Sequence, residues 1–300
     1  MLRWVPDLDS LQLLLEVAET GSLGRAAQRH GLSQPAVSAR VQAMERLVGF
    51  PVVSRTARGS TLTPAGALLV EWARGVLGAA EVLDAGIGSL RSQRDGRLRV
   101  AASLTVAEHL LPMWLVRLAA THPGTAVSLT ATNSAEVAAD VLAGVADIGF
   151  IEGPDLPEGL QEQVVARDRL VLVVPPGHPW ARRRTPVEVA DLASTRLVHR
   201  EPTSGTRAFL ERALVGLGPL PTPLLELSTS TAVRSAVAAG AGPAVLSDLS
   251  VRADVASGRL VEVGVRGVDL ARRLRAVWPV GTRLPPAAVD LLRLSQHKPS

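Results

Sequence analysis

Gln34, Ser38 and Gln42 recur every four residues, with Arg40 and Arg46 beside them. On a helix they share one face, with amides and a hydroxyl at its centre and guanidinium groups at its edge. Amides and hydroxyls pair with base edges in a DNA major groove, and guanidinium groups pair with phosphates. Val37, Val41 and Met44 fall at i, i+4 and i+7, so they form an apolar stripe that faces inward. Between Ser22 and Thr63 the charged residues are Arg25, Arg29, Arg40, Arg46, Arg55, Arg58 and one acid, Glu45, a net of +5 against +4 for the whole chain. A helical hairpin with an ordinary solvated face fits the spacing alone. The local concentration of positive charge favours a phosphate-binding surface.

Two short helices must hold that face, as a helix-turn-helix over 22–41. Ser22 caps the first, with Ala26 and Ala27 as small packing residues, and Gly31 ends it in a left-handed conformation. Ser33 caps the second, with Pro35 in its first turn, where a missing N–H costs nothing. A preceding helix starts after Asp7, carries Leu8, Leu11, Leu15 and Ala18, and ends at Thr20-Gly21. Val52-Val53 and Thr61–Thr63 flank the polar stretch 54–60, which reads as a wing. The expected DNA contacts are therefore Ser33, Gln34, Pro35, Ser38, Arg40, Gln42, Arg46, Arg55 and Arg58, the last two from the wing. Pro64 then opens a helix to about Gln93. Leu69, Ala73, Val76, Ala80, Leu83, Ile87 and Leu90 alternate four and three apart along it, a heptad seam suited to a dimerising linker. Gly75, Gly78, Gly86 and Gly88 weaken it as a freestanding coil.

The 300 residues are 47% apolar and 20% charged, which describes a globular chain of two or more domains. One lysine, Lys298, stands against 31 arginines, a coding bias that inflates the isoelectric point. With no cysteine, disulfides, zinc fingers and thiol catalysis are excluded. The six histidines (30, 109, 122, 178, 199 and 297) show no metal-ligand spacing, and there is no P-loop, dinucleotide fingerprint or G-x-S-x-G elbow. No enzyme activity, metal or cofactor is expected. The N-terminus lacks the apolar core of a signal peptide and no run approaches a membrane span, so a soluble cytoplasmic protein is expected.

Arg91–Arg97 reads as a polar hinge, after which strands and helices alternate. Strands are expected at Leu98–Ala101, Val127–Thr132, Ile148–Ile151, Arg169–Val174, Leu197–His199, Leu224–Leu227, Ala244–Leu246 and Leu274–Val280. Helices are expected at Val106–Ala120, Ala135–Ala143, Ala208–Val215, Ala232–Ala239 and Pro286–Leu294. Such alternation means an α/β fold with parallel sheets, and its length suggests two lobes.

These stretches carry a resemblance over essentially the full length. The chain resembles a LysR-type transcriptional regulator, most specifically in A-A-Q-R-H-G-L-S-Q-P-A-V-S-A-R-V-Q-A-M-E and R-T-A-R-G-S-T-L-T-P-A-G. G-R-L-R-V-A-A-S, L-V-L-V-V-P-P-G-H-P, E-P-T-S-G-T-R and A-V-A-A-G-A-G-P-A-V-L support it. The resemblance implies a multi-domain chain: an all-α winged helix-turn-helix (1–63), a dimerising linker helix (64–93) and an α/β effector domain (94–300) of the type II periplasmic-binding-protein kind. Its lobes would be 97–168 with 271–300, and 169–270, joined by strands crossing near Asp168–Leu170 and Leu270–Leu274. It also implies promoter DNA, a small-molecule effector, a homodimer or homotetramer and RNA polymerase as partners, and no membrane. Val53, Ala39 and Gly59-Ser60-Thr61 depart from the family pattern, and the last two imply fewer DNA contacts.

The resemblance places Ser103, Thr105, Asn133, Ser134, Thr203, Ser204 and Thr206 in the effector cleft. Chemistry supports that placement: each group follows a strand and starts a helix, where free N–H groups attract anions. Gly205 allows close backbone approach and Arg207 adds charge. A small anionic effector is therefore expected, although each hydroxyl or amide alone can simply cap its own helix. A solute-binding module whose N-terminal helices serve assembly instead of DNA is the rival reading.

Overall fold

The computed structural model describes residues 3–56, 59–94 and 97–296, apart from the side chains at 55, 56, 59, 85 and 88–94. The chain divides into two compact units, Met1–Leu83 and Asp84–Ser300.

In the first unit, Asp7 caps α1 (Leu8–Thr20) by accepting from the Ser10 amide at 2.9 Å, and Gly21 ends it at φ 61°. Ser22 caps α2 (Leu23–Arg29) and Ser33 caps α3 (Gln34–Val48), which carries Pro35 in its first turn and stops at Gly49 with φ 85°. Leu13, Leu14, Val17, Ala26, Val37, Val41 and Met44 close one core between the three helices. β1 (Val53–Thr56) pairs antiparallel with β2 (Gly59–Leu62), with Val53 opposite Leu62. The hairpin is thus longer than the sequence suggests, because strand pairing absorbs most of the stretch expected to be turn.

α4 (Pro64–Arg94) begins hard against Val52. A Cβ on Gly66 would overlap the Val52 carbonyl oxygen, so only glycine fits there. The expected seam divides. Leu69 and Ala73 are buried in the first unit, whereas Val76, Leu83 and Ile87 are exposed, Leu83 to 65%. The Leu90 side chain lies outside the described set.

In the second unit, β3 (Arg97–Ser103) leads into α5 (Leu104–His109) and α6 (Leu111–Thr121). The sequence predicts one helix over Val106–Ala120. Instead the chain breaks at Leu110 (φ −119°, ψ −49°), where Pro112 cannot supply the amide a continuous helix requires. β4 (Ala126–Thr132), α7 (Ser134–Leu142) and β5 (Ile148–Ile151) follow. β6 runs from Leu160 to Val174, far longer than the expected Arg169–Val174, because its first half carries the polar run Gln161-Glu162-Gln163 and the charged Arg167-Asp168, with no regular alternation, and reads as loop.

After a short 3-10 turn at Pro179–Arg182 come β7 (Val187–Glu188), α8 (Val189–Ser194), β8 (Val198–Arg200) and α9 (Gly205–Ala213). β9 (Leu225–Leu227), α10 (Ser230–Ala238), β10 (Ala244–Ser247) and α11 (Asp248–Ala256) continue the alternation. β11 (Val261–Val263), β12 (Val265–Arg266), β13 (Ala271–Pro279) and α12 (Pro286–Gln296) complete it. β3 pairs parallel with β4 and β5, but β13 is antiparallel to β5 and β6, and β10 and β11 are antiparallel to β6. The sheet is therefore mixed, not wholly parallel as expected.

Two cores result. One gathers Leu98, Val100, Phe150, Leu274 and Leu291, and the other Leu170, Leu172, Leu192 and Leu210. β6 serves both, giving Val165 to the first and Leu170 to the second, and beside it the Leu170 amide donates to the Leu270 carbonyl at 2.9 Å. Two lobes are thus strung on β6 and β13, and the carboxyl ends of β3, β4 and β5 point to the seam between them.

Candidate DNA interface and effector cleft

α3 is held rigidly: capped at both ends, with Val37, Val41 and Met44 buried beneath it. Its far side exposes Gln34, Pro35, Gln42 and Arg46, with Ser33 exposed at the cap and Ser38 half-buried. The carboxamides of Gln34 and Gln42 have no hydrogen-bond partner among the described residues, so their donors and acceptors are uncommitted.

The expected contact Arg40 and the other charges of the stretch Ser22–Thr63 are less available. Arg40 stands 4.0 Å from Asp9 of α1. Arg25 donates to the Thr20 carbonyl, and Arg29 pairs with Glu19 at 3.3 Å. Glu45 is half-buried, and its carboxylate accepts from the Val52 and Val53 amides at 2.9 and 3.1 Å, which anchors the wing. Across residues 1–63 there are seven arginines and five acids, a net of +2. The net positive charge of the first unit is thus smaller than the stretch Ser22–Thr63 alone suggests. Arg58 and the Arg55 side chain lie outside the described residues.

In the second unit, Ser103 ends β3 directly beside Thr132 of β4, placing the starts of α5 and α7 together. Asn133 accepts from the Glu136 amide at 2.9 Å and so caps α7. Ser134 accepts from the Glu152 amide at 3.2 Å. Across the seam, α9 meets this group at Gly205, where a Cβ would overlap Ser134 Oγ and lie 2.7 Å from the Gly153 amide nitrogen. Thr206 donates to the Glu152 carboxylate and accepts from the Arg272 guanidinium, both at 3.1 Å. Thr203 is exposed on the loop before α9.

Ser103 and Ser204 precede helices yet cap neither. Their hydroxyls and that of Thr105 are buried without a hydrogen-bond partner among the described residues. Buried hydroxyls are ordinarily satisfied, so three orphaned ones gathered on both sides of a seam are unusual. Simple capping accounts for Asn133 but not for these three.

The sequence reading misses the charges that organise the seam. Arg272 is fully buried, 2.7 Å from Asp168 and 3.2 Å from Glu152, and Asp168 also accepts from Ser247 Oγ at 3.0 Å. Arg200 forks onto Glu201 at 2.8 and 2.9 Å and donates to Ser230 Oγ at 3.0 Å. Arg207, expected to add charge to the cleft, is paired with Glu211 and Glu226, both at 2.7 Å. Burial holds His109 below the usual histidine range, partly offset by Glu108. His199 is lowered by burial, reinforced by Arg207. Among the described residues, no cluster of His, Cys, Asp or Glu is placed to hold a metal, and no helix is long and apolar enough to cross a membrane.

Comparison with known proteins identifies both units. Residues 8–67 match the bacterial regulatory helix-turn-helix protein, lysR family, and residues 91–299 match the LysR substrate binding domain. The chain belongs to the LysR family of transcriptional regulators. It is 50% identical, over 96% of each chain, to a helix-turn-helix transcriptional regulator of Mycobacterium tuberculosis. It is also 31% identical to the regulator CbbR of Rhodospirillum rubrum, over 96% of this chain and 95% of that one. Among solved structures, full-length CbnR complexed with its target DNA is 25% identical with a TM-score of 0.50, covering 97% of this chain and 100% of that chain. The CcmR regulatory domain of Synechocystis in complex with 2-PG has a TM-score of 0.61 at 24% identity, covering 67% and 95%, a likeness of fold.

In this LysR chain a signal for the missed charges exists in the sequence. Glu152 follows the apolar run Ile148–Ile151, and Arg272 sits in an otherwise strand-forming segment. Charges that terminate or interrupt buried strands need partners, and here they find one another at the seam.

Proposed function

We propose that this LysR-family chain is a dimeric, sequence-specific DNA-binding regulator in which Gln34, Ser38 and Gln42 read base edges. Arg46, Arg40 and the wing residues Arg55 and Arg58 engage phosphate. The observation that carries this reading is the pair of exposed, uncommitted carboxamides on a doubly capped helix backed by a buried stripe. A gel shift with operator fragments tests it: specific binding must weaken steeply with salt.

Dimerisation is assigned to α4. Val76, Leu83 and Ile87 form an exposed stripe on it, and Trp72, 64% exposed, borders an apolar groove of about 520 Å³ shared with Trp4 and Phe50. Large exposed apolar patches mark interfaces, and a second linker helix has the shape and chemistry to cover this one.

The effector is assigned to the seam between the lobes, among Ser103, Thr105, Ser134 and Ser204. Its class is a small anion, because the α7 and α9 N-termini and the orphaned hydroxyls supply hydrogen-bond donors. Titration calorimetry with small carboxylates, oxyanions and neutral analogues tests this. Binding restricted to neutral or cationic compounds contradicts it.

A further inference from the structure

The first lobe holds a second concave surface, away from the seam. It is a groove of about 610 Å³ between α6, the first half of β6 and the end of α12. Met113 and Trp114 form one wall, and Val164 and Val165 lie on the strand side. Arg117 and Arg167 also line it, and no carboxylate does. Neither arginine has an acidic partner within 4.0 Å among the described residues. Nearby strand arginines differ: Arg169, Arg272 and Arg275 each hold a carboxylate. His109 Nε2, at the same groove, is buried without a hydrogen-bond partner, with the Glu108 carboxylate 3.8 Å away.

An apolar wall with a few convergent polar groups, at this volume, is the form of a small-molecule site. An inorganic anion would use the arginines and leave the wall wet. A neutral hydrocarbon would fill the wall and desolvate two unpaired cations. We propose that the groove binds an organic carboxylate with an apolar body, its carboxylate held by Arg117 and Arg167 and its hydrocarbon laid against Trp114 and Val165. The site lies wholly within one lobe, so it does not depend on closure of the seam. α5 lies between the two: Ser103 and Thr105 mark its beginning and His109, its last residue, lines the groove.

Calorimetry on the full-length protein tests the proposal, with octanoate as the probe and acetate and hexanol as partial probes. Octanoate must bind saturably and much more tightly than either partial probe. The double variant R117Q/R167Q must weaken it at least about tenfold, the loss of one charge-assisted contact or more. V164W, which fills the groove from its exposed floor, must abolish it, and S204A at the seam must leave it unchanged. Melting curves confirm that each variant is folded, and both arginines lie at the surface or partly so. The proposal is overturned if octanoate gives no saturable heat at millimolar concentration, if a partial probe binds equally well, or if S204A abolishes binding while R117Q/R167Q does not.

Discussion

Arg272 and Glu152 lie 120 positions apart in sequence, yet their side chains meet at 3.2 Å inside the protein, with Thr206 hydrogen-bonded to both. Asp168 completes the group, so one guanidinium answers two carboxylates. This joins a crossing strand, the end of β5 and the start of α9. Removing the cation strands two buried charges, which costs far more than the pair contributes net. Arg272→Met is therefore expected to destabilise the effector domain by about 3–5 kcal/mol, and Thr206→Val by about 1 kcal/mol. Urea unfolding followed by circular dichroism measures both. Equal effects would show that the charge is not what holds the seam.

Gly205 sets how closely the lobes approach. A methyl group there would collide with Ser134 Oγ and crowd the Glu152 side chain. Gly205→Ala is expected to hold the seam ajar and to weaken effector binding by about tenfold, equivalent to about 1.4 kcal/mol. Gly177→Ala is the control, since nothing lies within 4 Å of its Cβ position. Calorimetry with an identified effector compares the two.

Reading and clamping on α3 separate experimentally. Gln34→Ala is expected to relax preference at one operator position, at a cost of about 1–3 kcal/mol for the cognate base. Arg46→Ala is expected to weaken all sequences alike and to reduce the salt slope by about one. Anisotropy titrations over single-base operator variants and several salt concentrations distinguish the two. Identical behaviour would refute the division of roles.

Acid should loosen the second unit. His109, His178 and His199 are each lowered from their ordinary value of 6.5, chiefly by burial. The unfolded chain then takes up protons first, so stability is full above 6.5 and falls as the pH drops below it, until the folded histidines also protonate. Thermal melts across this range should show the loss, and His199→Gln should flatten it. Asp7, lowered by hydrogen bonds from the Ser10 amide and hydroxyl, adds acid sensitivity to the first unit only below the ordinary carboxylate range.

What the sequence makes legible follows from locality. Asp7, Gly21, Ser22 and Ser33 act within one helical turn, so both ends of α1 and the starts of α2 and α3 can be read from residue types alone. The inward stripe of α3 is legible for the same reason. The continuous apolar periodicity across Leu110 conceals a helix break that Pro112 announces only in hindsight. The polar first half of β6 looks like loop until β13 pairs with it. The hydroxyls at strand ends are visible in sequence, and so is the odd placement of Glu152 and Arg272 at or within strand-forming runs, whereas their pairing with each other and with Asp168 is not, because it is decided only when distant segments meet. The +5 of Ser22–Thr63 likewise overstates the field, since α1 contributes Asp9 and Glu19 opposite Arg40 and Arg29.

The α4 stripe gives a direct test of assembly. Leu83→Asp places a charge on the exposed seam without touching the buried Leu69 and Ala73. Light scattering should show a smaller particle, and operator affinity should fall with it. An unchanged size would reject α4 as the interface.

Whether α3 reads DNA sequence is tested most directly by selecting from a random-sequence duplex library with the full-length protein and again with Gln34→Ala. The native protein is expected to enrich a motif with two related half-sites, and the variant to lose preference at defined positions of each. Failure of the native protein to enrich any motif at low salt, or an unaltered motif with the variant, would contradict sequence reading by α3.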